Sequence, residues 1–201
     1  MPKRVIIMTF DVKSEAFQAF SEIKNLYAKR LLQGEQMAVV THTTSESHRK
    51  HDFKIDDFID FTGNNKTAKG SIIGMLVGIL GGPLGVFLGW FAGSMFGATR
   101  DAKEIKDAQN TFEFVTSKIA EGQTGVILIA NEEDNRLLNQ IIMTEIGGEI
   151  TRLDYDQVEK DLENASEIEK KTEKDVKENW KEKTEDTTTT TEDTTESSTD
   201  K

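Results

Sequence analysis

The chain has 201 residues, with 25 lysines and arginines against 36 aspartates and glutamates, a formal net charge of −11. This acidity argues against nucleic acid as the main partner. The absence of cysteine excludes disulfides, thiol catalysis and thiolate metal sites. The apolar run after Met1–Arg4 is too short for a cleaved signal peptide, so we expect any membrane insertion to depend on an internal segment.

Residues 1–62 predict the first half of a folded domain. Residues 4–10, RVIIMTF, have the composition of a buried strand, a helix begins at Ser14, and residues 36–41 form a second strand. The apolar residues of that helix are Phe17, Phe20, Ile23, Tyr27 and Leu31. Residues 51–61 alternate weakly and predict an extra edge strand. Its acidic residues Asp56, Asp57 and Asp60 lack the regular oxygen spacing of a calcium loop.

Residues 63–99 contain an apolar, glycine-rich segment without a charged residue from Ser71 to Thr99. The nine glycines from Gly70 to Gly97 form two series with four-residue spacing: Gly70, Gly74, Gly78 and Gly82, then Gly81, Gly85, Gly89, Gly93 and Gly97. Each glycine costs a soluble helix roughly 1 kcal/mol relative to alanine. Small residues four apart allow close helix packing in membranes, so these nine positions are the predicted helix-packing residues of a glycine zipper.

Gly82 and Pro83 are predicted to form the turn of a hairpin, because proline breaks the helix and paired glycines tolerate a turn. Each arm would be roughly 20 Å long, short of the roughly 30 Å hydrocarbon core, so the hairpin would dip into the membrane or span it with local thinning. Basic residues stand at both flanks, namely Lys66, Lys69, Arg100, Lys103 and Lys106. We therefore expect the protein at the cell membrane. By the positive-inside rule, both flanks of the hairpin should lie on the cytoplasmic side.

Residues 100–155 predict the second half of the folded domain. An amphipathic helix is marked by Ile105, Ala108, Phe112, Val115 and Ile119. A strand at residues 125–130 precedes a helix from Asp134 to Ile146, which ends at Gly147–Gly148 and leads into a strand at residues 150–155. The two β-α-β units together predict an α+β fold, a ferredoxin-like split β-α-β sandwich interrupted by the membrane hairpin.

Residues 156–183 are rich in glutamate and lysine and predict a charged, solvated helical extension. Its apolar residues recur at near-helical intervals, at Val158, Leu162, Ala165, Ile168, Val176 and Trp180. Trp180 is a candidate anchor for a protein partner. Residues 184–201 contain only Thr, Ser, Glu, Asp and Lys, so we expect a disordered acidic tail.

The order of these segments resembles a bacterial family of small membrane proteins whose shared region is classed as a domain of unknown function. The resemblance covers residues 3–162. Its most specific parts are residues 74–97, with the motif LGGPLG, and residues 147–151, with GGEI. It implies a membrane-associated ferredoxin-like domain with no established reaction or cofactor, and it contributes no catalytic residues.

Motifs for chemistry are weak throughout the sequence. GNNKTAKGS at residues 63–71 has lysine before glycine, unlike a phosphate-binding loop. His42, His48 and His51 are predicted to be exposed loop residues, although the spacing of the last two would suit a shared metal. We therefore predict no enzyme activity and assign no catalytic, cofactor-binding or metal-binding residues.

The sequence predicts a membrane-associated structural or regulatory protein whose partners are membrane lipid and further copies of itself, through the glycine zipper. One alternative is an oligomeric pore, which the lack of polar residues to line it disfavours. The other is a small-ligand sensor that uses the ferredoxin-like sheet, a function that fold alone does not establish.

Overall fold

The fold is given by a computed structural model that describes residues 2–43, 52–63, 71–81, 111–167 and 170. Its strands are β1 (Lys3–Thr9), β2 (Gln33–Thr43), β3 (Asp52–Asp60), β4 (Thr124–Asn131) and β5 (Glu149–Asp154). Its helices are α1 (Lys13–Ala28), α2 (Ile72–Gly81), α3 (residues 111–118), α4 (Arg136–Asn139, continued by π-helical Gln140–Ile146) and α5 (residues 155–167). The chain divides into two compact units, Met1–Ala165 and Ser166–Lys201.

The strands form one antiparallel sheet in the order β3-β2-β4-β1-β5. β4 lies between β2 and β1, while β1 lies between β4 and β5, so the two β-α-β units interlock. The predicted α+β class is confirmed, and β3 occupies the sheet edge as its sequence predicted. Residues from before and after the glycine-rich segment thus share one sheet.

The first face of the sheet packs against α1 and α4. The strand side chains on this face are Ile6, Met8, Met37, Val39, Val126, Leu128 and Ala130, all at most 1% exposed. The helices contribute Ala16, Ala19, Phe20, Ile23, Leu26, Leu138, Ile141 and Ile142. Burial of apolar side chains on this scale is the dominant favourable term in folding.

The strand side chains on the second face of the sheet are also buried. They are Val5, Ile7, Ala38, Val40, Ile127 and Ile129. This double burial explains why β1 and β4 are continuous apolar runs instead of alternating ones. Helix α2 contacts β3 and β2. Helix α3 reaches β2 through the carbonyl of Ile119, at its C-terminal end, 2.7 Å from Nδ1 of His42. The Thr111 hydroxyl of α3 donates a hydrogen bond to Asp161 of α5.

Helix α1 ends earlier than its apolar spacing predicted. The helix ends at Ala28 and Arg30 has left-handed backbone, so Leu31 lies beyond the helix and is 58% exposed, while Tyr27, in the last turn, is 37% exposed. The buried side of α1 is instead formed by Ala16, Ala19, Phe20, Ile23 and Leu26. The prediction that Tyr27 and Leu31 belong to the apolar helical face was therefore wrong.

The start of the predicted solvated extension is part of the folded core. Within Met1–Ala165, α5 buries Tyr155, Val158, Leu162 and Ala165, of which Val158 is 1% and Leu162 0% exposed. The prediction of a solvated helix from residue 156 onward is thus wrong up to Ala165. Most of the remaining extension and all of the acidic tail lie outside the described residues.

Candidate functional site

The first arm of the glycine-rich segment, α2, lies on the protein's own sheet. Ser71 begins the helix by accepting a hydrogen bond at Oγ from the backbone N–H of Gly74, at 2.9 Å. The buried side chains of α2 are Ile73, Leu76, Val77, Ile79 and Leu80, each at most 6% exposed. Among the described elements, β3 and β2 are those that α2 packs against.

A comparison of magnitudes explains why a helix with Gly74, Gly78 and Gly81 is stable there. The three glycines cost roughly 3 kcal/mol relative to alanine. Burial of five aliphatic side chains contributes roughly 8 to 15 kcal/mol as an upper estimate. Burial of these side chains in the folded chain therefore exceeds the glycine cost.

The predicted helix-packing glycines differ in their surroundings. A Cβ at Gly81 would lie 3.4 Å from Oδ1 of Asp52 and 3.5 Å from the backbone N of Phe53, so this glycine allows close approach to β3. Gly78 is exposed, and no described atom lies within 4 Å of its Cβ position. Gly74 is half-buried. The other predicted positions, Gly70, Gly82, Gly85, Gly89, Gly93 and Gly97, lie outside the described residues, as does the turn residue Pro83.

The two chain segments that flank the insertion meet in the sheet. β2 pairs with β3 on one side and with β4 on the other, with Val39 opposite Val126. Gly81, at the end of α2, lies beside Phe53, which pairs with His42 in the ladder. Since Ile119 also contacts His42, α2 and α3 end at the same end of the sheet. Among the described helices, none is long and apolar enough to cross a membrane.

His42 is buried, so its prediction as an exposed loop residue was wrong. The side chain is 1% exposed, its Nδ1 lies 2.7 Å from the carbonyl oxygen of Ile119, and its ring stacks on Phe53 with 4.1 Å between centroids. The imidazole thus links β2, β3 and the end of α3. His48 and His51 lie outside the described residues.

Asp56 is at the centre of a charged cluster on the first face of the sheet. Residues 39 and 40 of β2 pair with residues 57 and 55 of β3, which leaves Asp56 as the extra residue of a β-bulge. Its Oδ2 accepts hydrogen bonds from Thr41 Oγ1 at 2.6 Å and Lys13 Nζ at 2.7 Å, and Lys54 Nζ lies 3.3 Å from Oδ1. Within the described ranges, no group of three histidine or acidic side chains could hold a metal ion.

The electrostatics of Asp56 support a structural role. Burial raises the pKa of its carboxyl, but the hydrogen bonds from Lys13, Thr41 and Lys54 outweigh burial, so the pKa lies below its usual value. The carboxylate is therefore ionised at neutral pH. It fastens the start of α1 to the edge strand, and Thr41 extends the cluster to Thr124 of β4 through a 2.8 Å hydrogen bond.

Two further buried carboxylates join elements of the fold. Glu132 accepts two hydrogen bonds from the guanidinium of Arg152, one of them at 2.7 Å. Asp161, 1% exposed, accepts hydrogen bonds from Thr111 and from the side-chain amide of Gln157. Since each carboxylate accepts hydrogen bonds from side chains and one of its donors lies in another element, both are parts of the scaffold.

Comparison with known proteins found no matching protein family, no similar curated protein and no similar solved structure. The resemblance described above accordingly stays a prediction. Function has to be argued from the sheet, from α2 and from the chemistry of the described side chains.

Proposed function

We propose that the protein is a membrane-attached structural or regulatory protein, with its α+β domain on one side of the membrane and residues 82–99 as the attachment. The observation that carries the proposal is the pairing of β2, which precedes the segment, with β4, which follows it. A paired sheet cannot be divided by a bilayer, because its open backbone edges have no partners in lipid. The segment therefore enters and leaves the membrane on the same side.

Residues 82–99 are assigned the attachment because the apolar side chains of α2 are already buried on the sheet. The sequence GPLGVFLGWFAGSMFGAT has no charged residue. A return to the same side requires two passes of about 9 residues, each roughly 13 Å long as helix, less than half the roughly 30 Å core. We expect a shallow, re-entrant or interfacial attachment, with Trp90 at the headgroup level.

The ferredoxin-like fold is part of the same proposal. Without β3, the strand order reads β2-β4-β1-β5, with β1-α1-β2 and β4-α4-β5 as two split β-α-β units. This is the arrangement expected of a ferredoxin-like sandwich, and β3 would be an added edge strand.

Self-association is proposed for the second glycine series, Gly85, Gly89, Gly93 and Gly97, because Gly81 is already in close contact with β3. The outward side of α2, with Gly78 and Met75, is exposed. Small residues with this spacing favour close helix packing. No observation on the described residues favours the pore, whereas an open cavity lined by Tyr27, Arg30 and Asn131 favours the small-ligand sensor.

Removal of residues 82–99 is expected to abolish membrane attachment while the domain stays folded. The test replaces these residues with an 18-residue Gly/Ser linker and measures flotation with phospholipid vesicles, together with carbonate extraction of cell membranes. The intact chain should float and resist extraction, because burial of apolar area in lipid is lost only in the variant. Circular dichroism and thermal unfolding should be unchanged.

The acidic tail supplies the matched control, since residues 184–201 have the same length. Replacing the tail with the same linker should leave flotation unaltered. Recovery of the intact protein in the soluble fraction would refute membrane attachment, and flotation of the 82–99 variant would refute the assignment of this segment.

A further inference from the structure

An open cavity of about 430 Å³ lies at the end of the sheet where α1 gives way to β2 and where β4 ends. Its lining includes Tyr27, Arg30, Gln33, Glu35 and Asn131, with Leu32 as an apolar wall. The volume falls in the range typical of small-molecule sites. The cavity shares no lining residue with α2.

Arg30 stands at a backbone position that ordinarily favours glycine. Its φ is 58°, in the left-handed region, and its N–H bonds to the carbonyl of Tyr27 at 2.9 Å while that of Leu31 bonds to Leu26 at 2.9 Å. This is the Schellman ending of a helix, with Arg30 in the place of the usual glycine. An arginine there costs roughly 1 to 2 kcal/mol, so it occupies the cavity rim at the expense of stability.

Arg30 makes no ion pair with any described residue. Within the part of the chain that the structure describes, the Arg30 guanidinium has no ion pair, and the amides of Gln33 and Asn131 make no side-chain hydrogen bond. Gln33 and Asn131 are directly opposite each other in the β2–β4 ladder. The carboxylate of Glu35 is paired with Lys3 at 2.6 Å. Among the residues that the structure describes, the cavity thus presents one cation without an ion pair and two amide side chains.

Tyr27 gives the cavity a fixed aromatic wall. Its ring packs on Phe61 with 4.3 Å between centroids, and its hydroxyl donates a 2.8 Å hydrogen bond to the Phe61 carbonyl. A Cβ at Gly34 would lie 3.0 Å from the Phe61 ring, so glycine allows this packing. Tyr27 is consequently held in place before any ligand arrives.

We propose that this cavity binds a small soluble molecule that carries a carboxylate or phosphate group. The guanidinium of Arg30 pairs with the anion through charge-assisted hydrogen bonds, the amides of Gln33 and Asn131 donate further hydrogen bonds, and Tyr27 contacts the body of the ligand. A phosphate could also come from a lipid headgroup, and the experiment separates the two sources.

The test measures binding to the full chain by calorimetry at constant ionic strength, with inorganic phosphate, citrate and glycerol 3-phosphate as probes. At least one probe should bind saturably at one site per chain. Arg30→Gly should weaken that binding about tenfold or more, because charge-assisted hydrogen bonds are lost. The same variant should fold at least as stably as the wild type, since glycine suits this backbone position.

Lys29→Gln is the matched control, because it removes a neighbouring positive charge from a residue that does not line the cavity. It should change the affinity less than about twofold, as expected for a screened surface charge. Equal loss in Arg30→Gly and Lys29→Gln, or no saturable binding of any probe, would overturn the proposal. Arg30-dependent binding confined to vesicles that contain phosphatidic acid would overturn the soluble ligand.

Discussion

Leu76→Asp is expected to destabilise the folded domain by at least about 3 kcal/mol, whereas Met75→Asp costs less than about 1 kcal/mol. Leu76 is 1% exposed beneath α2, while Met75, the adjacent residue, is 37% exposed on the outward side. The first substitution removes a buried side chain and places a carboxylate among apolar groups. The second substitution changes a solvated position.

Thermal unfolding of the full chain, followed by circular dichroism, measures both variants under one set of conditions. A loss of about 3 kcal/mol lowers the melting temperature of a chain of this size by roughly 6 to 12 °C. If α2 instead lay in lipid, aspartates at adjacent positions would have nearly equal depth and similar cost. Equal effects of the two substitutions would therefore contradict docking of α2 on the sheet.

Gly148→Asn is the second substitution with a large expected effect, at about 3 kcal/mol or more. A Cβ at Gly148 would lie 2.5 Å from Cε1 of Phe10 and 2.8 Å from the carbonyl oxygen of Thr9. Because one of these atoms is backbone and the other belongs to a buried ring, the start of β5 or the ring has to move. The shift would weaken the pairing of β5 with β1.

Gly147→Asn is its control and should cost less than about 1 kcal/mol. Gly147 has a φ of 93° with no described atom within 4 Å of its Cβ position, and asparagine is tolerated in left-handed backbone. Urea unfolding of both variants measures their free energies of unfolding relative to the wild type. Comparable stability of the two would refute the close approach of Gly148 to β1.

Much of the fold follows from local patterns in the sequence. β1 and β4 are short apolar runs, and the predicted helix end at Gly147–Gly148 is confirmed by the left-handed backbone of Gly147. β3 carries a subtler signal. The spacing of Phe53, Ile55 and Phe58 changes from two residues to three, which is the mark of the bulge at Asp56.

Composition alone did not predict the position of α2, because an apolar helix has the same composition under a sheet as in lipid, but the length of the helix is informative. Its 10 residues are fewer than a membrane span requires, and such a length favours a buried helix. The start of α5 had a usable signal that the charged background obscured: Val158, Leu162 and Ala165 are spaced four and three apart. His42 was misassigned because β2 extends through the polar residues Thr41–Thr43.

No pattern in the sequence predicted the cavity. Arg30 is important only because α1 ends two residues before it, which places arginine in left-handed backbone at the rim. The position of that helix end depends on the packing of Leu26 and Leu32 in the core. Asn131 joins Gln33 only through the β2–β4 register, which no local pattern specifies.

The central claim is that the segments before and after residues 82–99 lie on the same side of the membrane. Labelling of both segments tests it most directly. The natural chain has no cysteine, so Asp57→Cys and Glu113→Cys each provide one labelling site at an exposed position, before and after residues 82–99. An impermeant maleimide is applied to sealed vesicles of cell membrane, before and after they are opened. We predict that both cysteines react on the same side, the cytoplasmic one. Reaction of the two on opposite sides would contradict a single sheet held at one face of the membrane.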